Sequence, residues 1–413
     1  MKKTERCVLT VMKKLFCCVL AAILLLSHGL LPALATEQSR IYPYDFAFED
    51  FWYREDVPAS SFESSLPRKS ALLMEASTGK VLFADNENER LPIASVTKVM
   101  ATLLIMEAID QGKVALSDVI TVSERAASMG GSQVFLESGE QMTVDDLLKS
   151  LIVVSANDAT VALAEAVYGS EEAFIAAMNE KSKELGLENT HFVNTNGLPA
   201  EGHYSSALDV AITTRALLEH PTVLNYTGIW MDTIRNGAFG LANTNKLVRF
   251  YKGANGMKTG FTSEAGYCLS ATAKRDGMQL IAVVLGSPTS EDRFALAKQL
   301  LDFGFANYRV STPEVELPAG IPVTMGVADQ VSLTVSPPSL LLEKGAAGNL
   351  SVSLDLPDSV SAPVEKGQAL GTVSFLHNGT LLAKTEIRAA ESVKKIGLGT
   401  MIRRIFGNIF GVL

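Results

Sequence analysis

The chain has 413 residues, 47% of them apolar and 20% charged, and a formal net charge of −9 at pH 7. That length exceeds one ordinary domain, and the composition excludes a disordered or fibrous chain. An acidic body lacking a basic stripe with interleaved aromatics also excludes nucleic acid as a partner.

The first 35 residues set Lys2, Lys3, Arg6, Lys13 and Lys14 ahead of "LFCCVLAAILLLSHGLL" and "PALA". A basic start, an apolar centre and small residues at Ala33 and Ala35 make a secretory signal peptide cut after Ala35. A retained membrane anchor is the alternative, since the apolar run is near spanning length; the Ala-Leu-Ala site favours cleavage. These residues carry a net +4, so their removal takes the charge from −9 to −13. Cys7, Cys17 and Cys18 leave with them, and the remaining Cys268 has no disulfide partner and no cysteine metal cluster. Its setting, "EAGYCLSATA", reads as a strand, which makes Cys268 a small buried apolar residue. An exported protein that folds without disulfides is expected.

Residues 36–66 form an acidic, aromatic leader without periodicity. From Ser70, two short apolar runs flank "STGK", the pattern of a hairpin, and "SVTKVMATLLIMEAID" predicts a helix beginning near Ser95. "TVDDLLKSLIVVSANDATVALAEAVYG" is helical except at the polar "SAND", and "EEAFIAAMNEKSKELGL" is a further helix stopped by Gly186. A loop over Asn194–Tyr204 precedes the helix "SALDVAITTRALLEH". Two strands joined by Asp276-Gly277 form a second hairpin, and "SEDRFALAKQLLDFGFANY" closes a first domain spanning 67–309. Short alternating runs over 310–391, with Asn378-Gly379 as a turn, predict a small all-β domain.

Residues 392–413 are locally basic, with Lys394, Lys395, Arg403 and Arg404 and no acid after Glu391. As a helix they place Arg403, Arg404, Gly407, Asn408 and Gly411 on one side and Leu398, Met401, Ile402, Ile405, Phe406, Ile409 and Phe410 on the other. Such a helix lies in a bilayer interface as an anchor. A helix packed on the β domain is the alternative, which four glycines disfavour in water.

Ser95-x-x-Lys98 places a hydroxyl and an amine on one helical face, with an apolar helix following to desolvate the lysine. Alone it is weak, since Ser392-Val-Lys-Lys395 matches it, and a serine cap beside a solvated lysine is the better explanation of the pair by itself. Ser155 and Asn157, in "VVSANDAT", can point into a cleft or simply cap the next helix. Lys258-Thr259-Gly260 enters a strand, where Gly260 permits close approach of a ligand backbone; an edge strand with surface side chains is the plainer account.

Ser-x-x-Lys, Ser-x-Asn and Lys-Thr-Gly in that order form the set of penicillin-binding proteins and class A β-lactamases. From about residue 66 to the tail the chain resembles the low-molecular-mass penicillin-binding proteins, specifically the serine-type D-Ala-D-Ala carboxypeptidases of peptidase family S11. "GGSQVFLESGE", "NTNGLPAEGHYSSALD", "GMKTGFTSEAGYCLSATA" and "APVEKGQALGTV" belong to that resemblance. It implies an α/β (α+β) transpeptidase-like domain, an antiparallel sheet flanked by helices with an all-helical subdomain, followed by the β domain and the amphipathic helix.

The resemblance also implies roles. Ser95 would be the acyl-accepting nucleophile and Lys98 its base. Ser155 would relay a proton with Lys258, and Asn157 would hold the substrate amide. Lys258 and Thr259 would bind the terminal carboxylate of the peptide. Backbone amides of Ser95 and of Phe261, after Gly260, would form the oxyanion hole. Phe261 stands where some relatives carry histidine, which keeps the backbone donor but puts leaving-group preference and rate in question. Arg293 would support substrate binding at longer range. The implied partners are peptidoglycan stem peptides, β-lactams and, through the tail, the outer face of the cytoplasmic membrane. No cofactor or metal is implied, and His191, His203, His220 and His377 read as structural.

A β-lactamase needs a water-positioning glutamate after the second motif. Here "GLENTHFVNTNGL" lacks the Glu-x-x-Leu-Asn signature, which disfavours that rival. A catalytically silent wall-binding protein could have lost Lys98, Ser155 or Lys258, yet all are present. Endopeptidase and transpeptidase activities use the same acyl-enzyme and stay open on sequence alone.

Overall fold

The structure, a computed structural model, describes residues 62–345 and 350–401. The predicted signal segment, most of the leader and the tail beyond Met401 lie outside these residues. Among the described residues no helix is long and apolar enough to cross a membrane.

Strands β1 (Ser70–Glu75) and β2 (Val81–Asp85) form the first predicted hairpin. Its turn is fixed by the buried Glu75 carboxylate, which accepts hydrogen bonds from the amides and hydroxyls of Ser77 and Thr78. Strands β3 (Ala254–Thr262), β4 (Gly266–Arg275) and β5 (Met278–Ser287) complete a five-stranded antiparallel sheet ordered β2-β1-β5-β4-β3. Asp276 and Gly277, between β4 and β5, both take positive φ (49° and 81°), as a two-residue hairpin turn requires.

Side chains on a strand alternate between faces, and here both faces are covered. Ala71, Leu73, Leu280, Ala282 and Val284 pack with Leu296, Leu300 and Leu301 of helix α6 (Ser290–Asn307). Leu72, Met74, Ile281, Val283 and Leu285 join the other cluster, with Met100, Leu103 and Leu104 of helix α1 (Lys98–Asp110). This double burial explains why "LIAVVL" in β5 is apolar at every position instead of alternating.

The helical body adds α2 (Val144–Val153), α3 (Asn157–Tyr168), α4 (Glu171–Glu184) and α5 (Ala207–Leu218). Thr143, Ser170 and Ser206 cap α2, α4 and α5 by accepting from backbone amides. The cap of α3 is Ala156, which offers no side-chain bond. Neither Ser155 nor Asn157 is therefore spent as the capping side chain of that helix.

After α6 the chain enters a strand at once, Tyr308–Ser311, paired with Leu340–Glu343. Beyond it, Leu350–Asp355, Ala369–His377 and Thr380–Ala389 form an antiparallel sheet with Leu333–Thr334. The turn of the last hairpin is Asn378-Gly379, both at positive φ. One expectation is corrected here: residues 392–396 do not begin the terminal helix. Val393 is buried in the β-domain core and pairs with Val364, Lys395 bridges to Gly326, and helix starts only at Leu398. Burial of the Val393 side chain outweighs a helical periodicity whose apolar face begins later, at Leu398.

Candidate active site

Ser95 sits in a single 3-10 turn, Ala94–Thr97, that runs into α1 at Lys98. In a 3-10 turn, side chains three apart eclipse, so Ser95 and Lys98 are stacked more directly than on an α-helix. Lys98 Nζ lies 3.1 Å from Ser95 Oγ, within hydrogen-bond reach. The turn is held in a constrained geometry: Ala94 has φ +48°. Gly260 of β3 packs on it so closely that a Cβ there would lie 2.7 Å from Ile93 O and 3.0 Å from the Ser95 amide nitrogen. Gly197, at φ +85°, presses against the Ala94 carbonyl from the other side, leaving no room for a side chain.

The Lys98 side chain is fully buried. Its Nζ donates to Asn157 Oδ1 at 2.6 Å and to the Asn196 carbonyl at 3.3 Å, and lies 3.4 Å from Ser155 Oγ. Burial, and next the charge of nearby Lys258, hold its pKa well below that of an ordinary lysine, against the opposing pull of Asp158. The amine is thereby biased to its neutral, proton-accepting form.

Ser155 takes a left-handed backbone (φ +64°) in the break between α2 and α3. For a non-glycine residue that conformation is uncommon and strained; here it turns the hydroxyl toward Lys98. Asn157 is used at both ends, Oδ1 on Lys98 and Nδ2 donating to the Gly130 carbonyl at 2.6 Å. The next residue, Asp158, is buried and accepts from the amides of Val134 and Leu136. Together they tie the loop "GGSQVFL" to the start of α3. Asp158 is the last letter of "SAND"; a buried acid among apolar helix residues is the signal that marks it.

Lys258, Thr259 and Gly260 lie on β3, an edge of the sheet. Lys258 is buried and its Nζ donates to the Thr259 carbonyl at 3.0 Å, while Thr259 Oγ1 donates to Thr244 Oγ1 at 2.7 Å. Burial, and then Arg293, bring Lys258 down to about 7. Phe261 is 53% exposed, its ring 4.3 Å from that of Tyr267. Arg293 of α6 is buried and donates Nη1 to the carbonyls of Gly260 and Cys268, both at 3.1 Å. It grips the backbone of the Lys-Thr-Gly strand, and its guanidinium lies over the Tyr267 ring.

The structure thus brings Ser95, Lys98, Ser155 and Asn157 into direct contact and lays Gly260 on the same turn. The link the sequence reading expects between Ser155 and Lys258 is not among the hydrogen bonds of the described residues; Lys258 turns to its own neighbour's carbonyl. Thr244 and the Asn196 carbonyl escaped that reading. Thr244 follows a short hairpin, Met231–Ile234 with Phe239–Ala242, too brief to show periodicity. A main-chain carbonyl leaves no mark in a sequence at all.

Known proteins are similar to this one over most of the chain. The D-alanyl-D-alanine carboxypeptidase family profile matches residues 58–289, and the profile for the C-terminal domain of penicillin-binding protein 5 matches 316–395. The chain is 47% identical over 347 residues to D-alanyl-D-alanine carboxypeptidase DacF of Bacillus subtilis (strain 168), covering 82% of this chain and 89% of that protein. The solved structure of penicillin-binding protein 5 from Haemophilus influenzae is similar at a TM-score of 0.71 and 32% identity, over 81% of this chain and all of that one. Penicillin-binding protein D2 from Listeria monocytogenes, solved in its ampicillin-bound form, is similar at a TM-score of 0.54 and 31% identity, over 59% of this chain and 99% of that one. With a family match over more than half its length and a 47% identical relative covering 82% of it, the chain belongs to the peptidase S11 family of D-alanyl-D-alanine carboxypeptidases.

Proposed function

We propose that this protein removes the terminal D-alanine from peptidoglycan stem pentapeptides through an acyl-enzyme at Ser95. The observation that carries the reading is the fully buried Lys98 amine, biased to its neutral form, 3.1 Å from Ser95 Oγ. Lys98 takes the hydroxyl proton as Ser95 Oγ attacks the penultimate D-alanine carbonyl. The amides of Ser95 and Phe261 receive the developing oxyanion. Arg293 supports that role by holding the Gly260 carbonyl, which fixes the peptide plane carrying the Phe261 N–H. Ser155, reached by Lys98, passes the proton to the departing D-alanine nitrogen, and water then hydrolyses the ester. Asn157 positions Lys98 and the 130–136 loop, and orients the substrate amide alongside. Lys258, when protonated, and Thr259 take the terminal carboxylate. From the loop that would carry a β-lactamase's glutamate, the group presented to Lys98 is the Asn196 carbonyl, which cannot serve as a base. The same nucleophile is the one a β-lactam acylates.

A pH profile tests these assignments. Protonated Lys98 cannot accept a proton, so kcat/KM rises with pH on the acid side. Lys258, lowered to about 7, loses its charge as pH rises through that value, so KM for a carboxylate-ended peptide climbs about tenfold per pH unit above 7. In the bound complex the substrate carboxylate keeps Lys258 protonated, and kcat stays level over the same range. A KM unchanged to pH 9 would remove Lys258 as the carboxylate's partner.

The reading extends to location. The basic, apolar start and the Ala33-Leu34-Ala35 site support export, and the amphipathic tail supports attachment to the outer face of the cytoplasmic membrane. Truncation after Ile396, which spares the Val364–Val393 pairing, is expected to move the mature protein from the membrane to the soluble fraction. Retention on the membrane would place the anchor elsewhere.

A further inference from the structure

We infer that His203 is a positioning residue for the acylation step, acting through Thr97 on the turn that carries Ser95 and Lys98. The inference rests on the assignment of those two residues above.

His203 is buried on the loop that leads to α5. Its Nδ1 accepts the Val193 amide proton at 3.1 Å, and its Nε2 lies 2.7 Å from Thr97 Oγ1. An imidazole nitrogen that accepts a hydrogen bond carries no proton, so the proton is on Nε2 and is donated to Thr97. Burial, and then His191, keep the ring's pKa down at about 4, so it is neutral near pH 7. The ring is further held edge-on to Phe192, centroids 5.7 Å apart.

Thr97 stands between Ser95 and Lys98, and the His203 loop meets the same turn at two more places. Gly197 abuts the Ala94 carbonyl, and the Asn196 carbonyl accepts from Lys98 Nζ. Two residues past the ring, Ser205 exchanges reciprocal backbone bonds with Leu91. The imidazole is a rigid spacer between two segments that both touch Lys98, so it sets how far the Asn196 carbonyl stands from the amine and how the amine faces Ser95 Oγ. Misplacement by about 1 Å can cost on the order of 100-fold in rate without loss of binding.

The test is the rate of acylation by a chromogenic cephalosporin, resolved by stopped flow into the dissociation constant of the first complex and the acylation rate constant. His203→Leu lowers the acylation rate constant about 10- to 100-fold and leaves the dissociation constant within about threefold. His203→Gln, whose amide offers both a donor and an acceptor, restores the rate to within about fivefold of the parent. Thr97→Val keeps the shape of the side chain and removes only the hydroxyl, so it reproduces the His203→Leu loss without a cavity. The double variant is no slower than either single one, because both break one link. A Thr97→Val enzyme with the parent rate overturns the inference, as does a His203→Gln enzyme as slow as His203→Leu. Failure of the Ser95 assignment is distinguishable: it moves the adduct to another residue, whereas failure here leaves the adduct on Ser95 and only its rate unaltered.

Discussion

Ser95→Ala leaves D-alanine release from a D-Ala-D-Ala pentapeptide at the background rate, a loss on the order of 10⁵-fold or more. The change removes one oxygen and its 3.1 Å contact with Lys98 Nζ. The turn keeps its geometry, which is imposed by Gly260 and Gly197 packed against its backbone rather than by the serine side chain. Thermal stability therefore stays near that of the parent. Peptide affinity also survives, since Lys258 and Thr259 are untouched on β3. Release and peptide binding, measured on one preparation, separate loss of the nucleophile from loss of the fold. A Ser95→Ala enzyme with a tenth of the parent turnover would show that another group attacks.

The second large effect belongs to Lys98→Met. Methionine fills nearly the same space and removes the only amine that contacts Ser95 among the described residues. Loss of a positioned base costs about 10²- to 10⁴-fold, and here the upper end applies, because among the described residues Ser155 is joined to Ser95 only through Lys98. Loss of the buried amine relieves the desolvation cost that holds its pKa down. Asn157 Oδ1 and the Asn196 carbonyl lose their donor, a cost of about 1–3 kcal/mol for each group left unpaired, which moderates that gain. The Lys98→Met enzyme folds, binds peptide and acylates on the order of 10⁴-fold more slowly. Parent-like acylation would reassign the base.

How much of this was written in the sequence depends on which atoms do the work. The sheet was legible because its strands are marked by apolar runs and by Asp276-Gly277, a pair that adopts positive φ readily. The Ser95–Lys98 pair was legible as a spacing, and its meaning came from the order of three motifs. The contacts that bring the groups together were not legible. Asn157 reaches both Lys98 and Gly130, Asp158 gathers two loop amides, and Asn196 offers a carbonyl; each depends on a loop closing from far along the chain. The histidines looked alike in sequence, yet His203 touches the nucleophile's turn and His220 pairs with Asp110 at the far end of α1. The extended path of residues 392–396 was hidden for a related reason: only the core around Val364 shows that Val393 has a place to be buried.

The central claim is that Ser95 forms the covalent intermediate. Its most direct test is to incubate the purified mature protein with a penicillin, measure the intact mass, and map the adduct by peptide mass spectrometry. The account predicts one drug equivalent per chain, on the peptide containing Ser95, and none on the Ser95→Ala protein. An adduct on any other residue, or an equal adduct on the alanine variant, would contradict it.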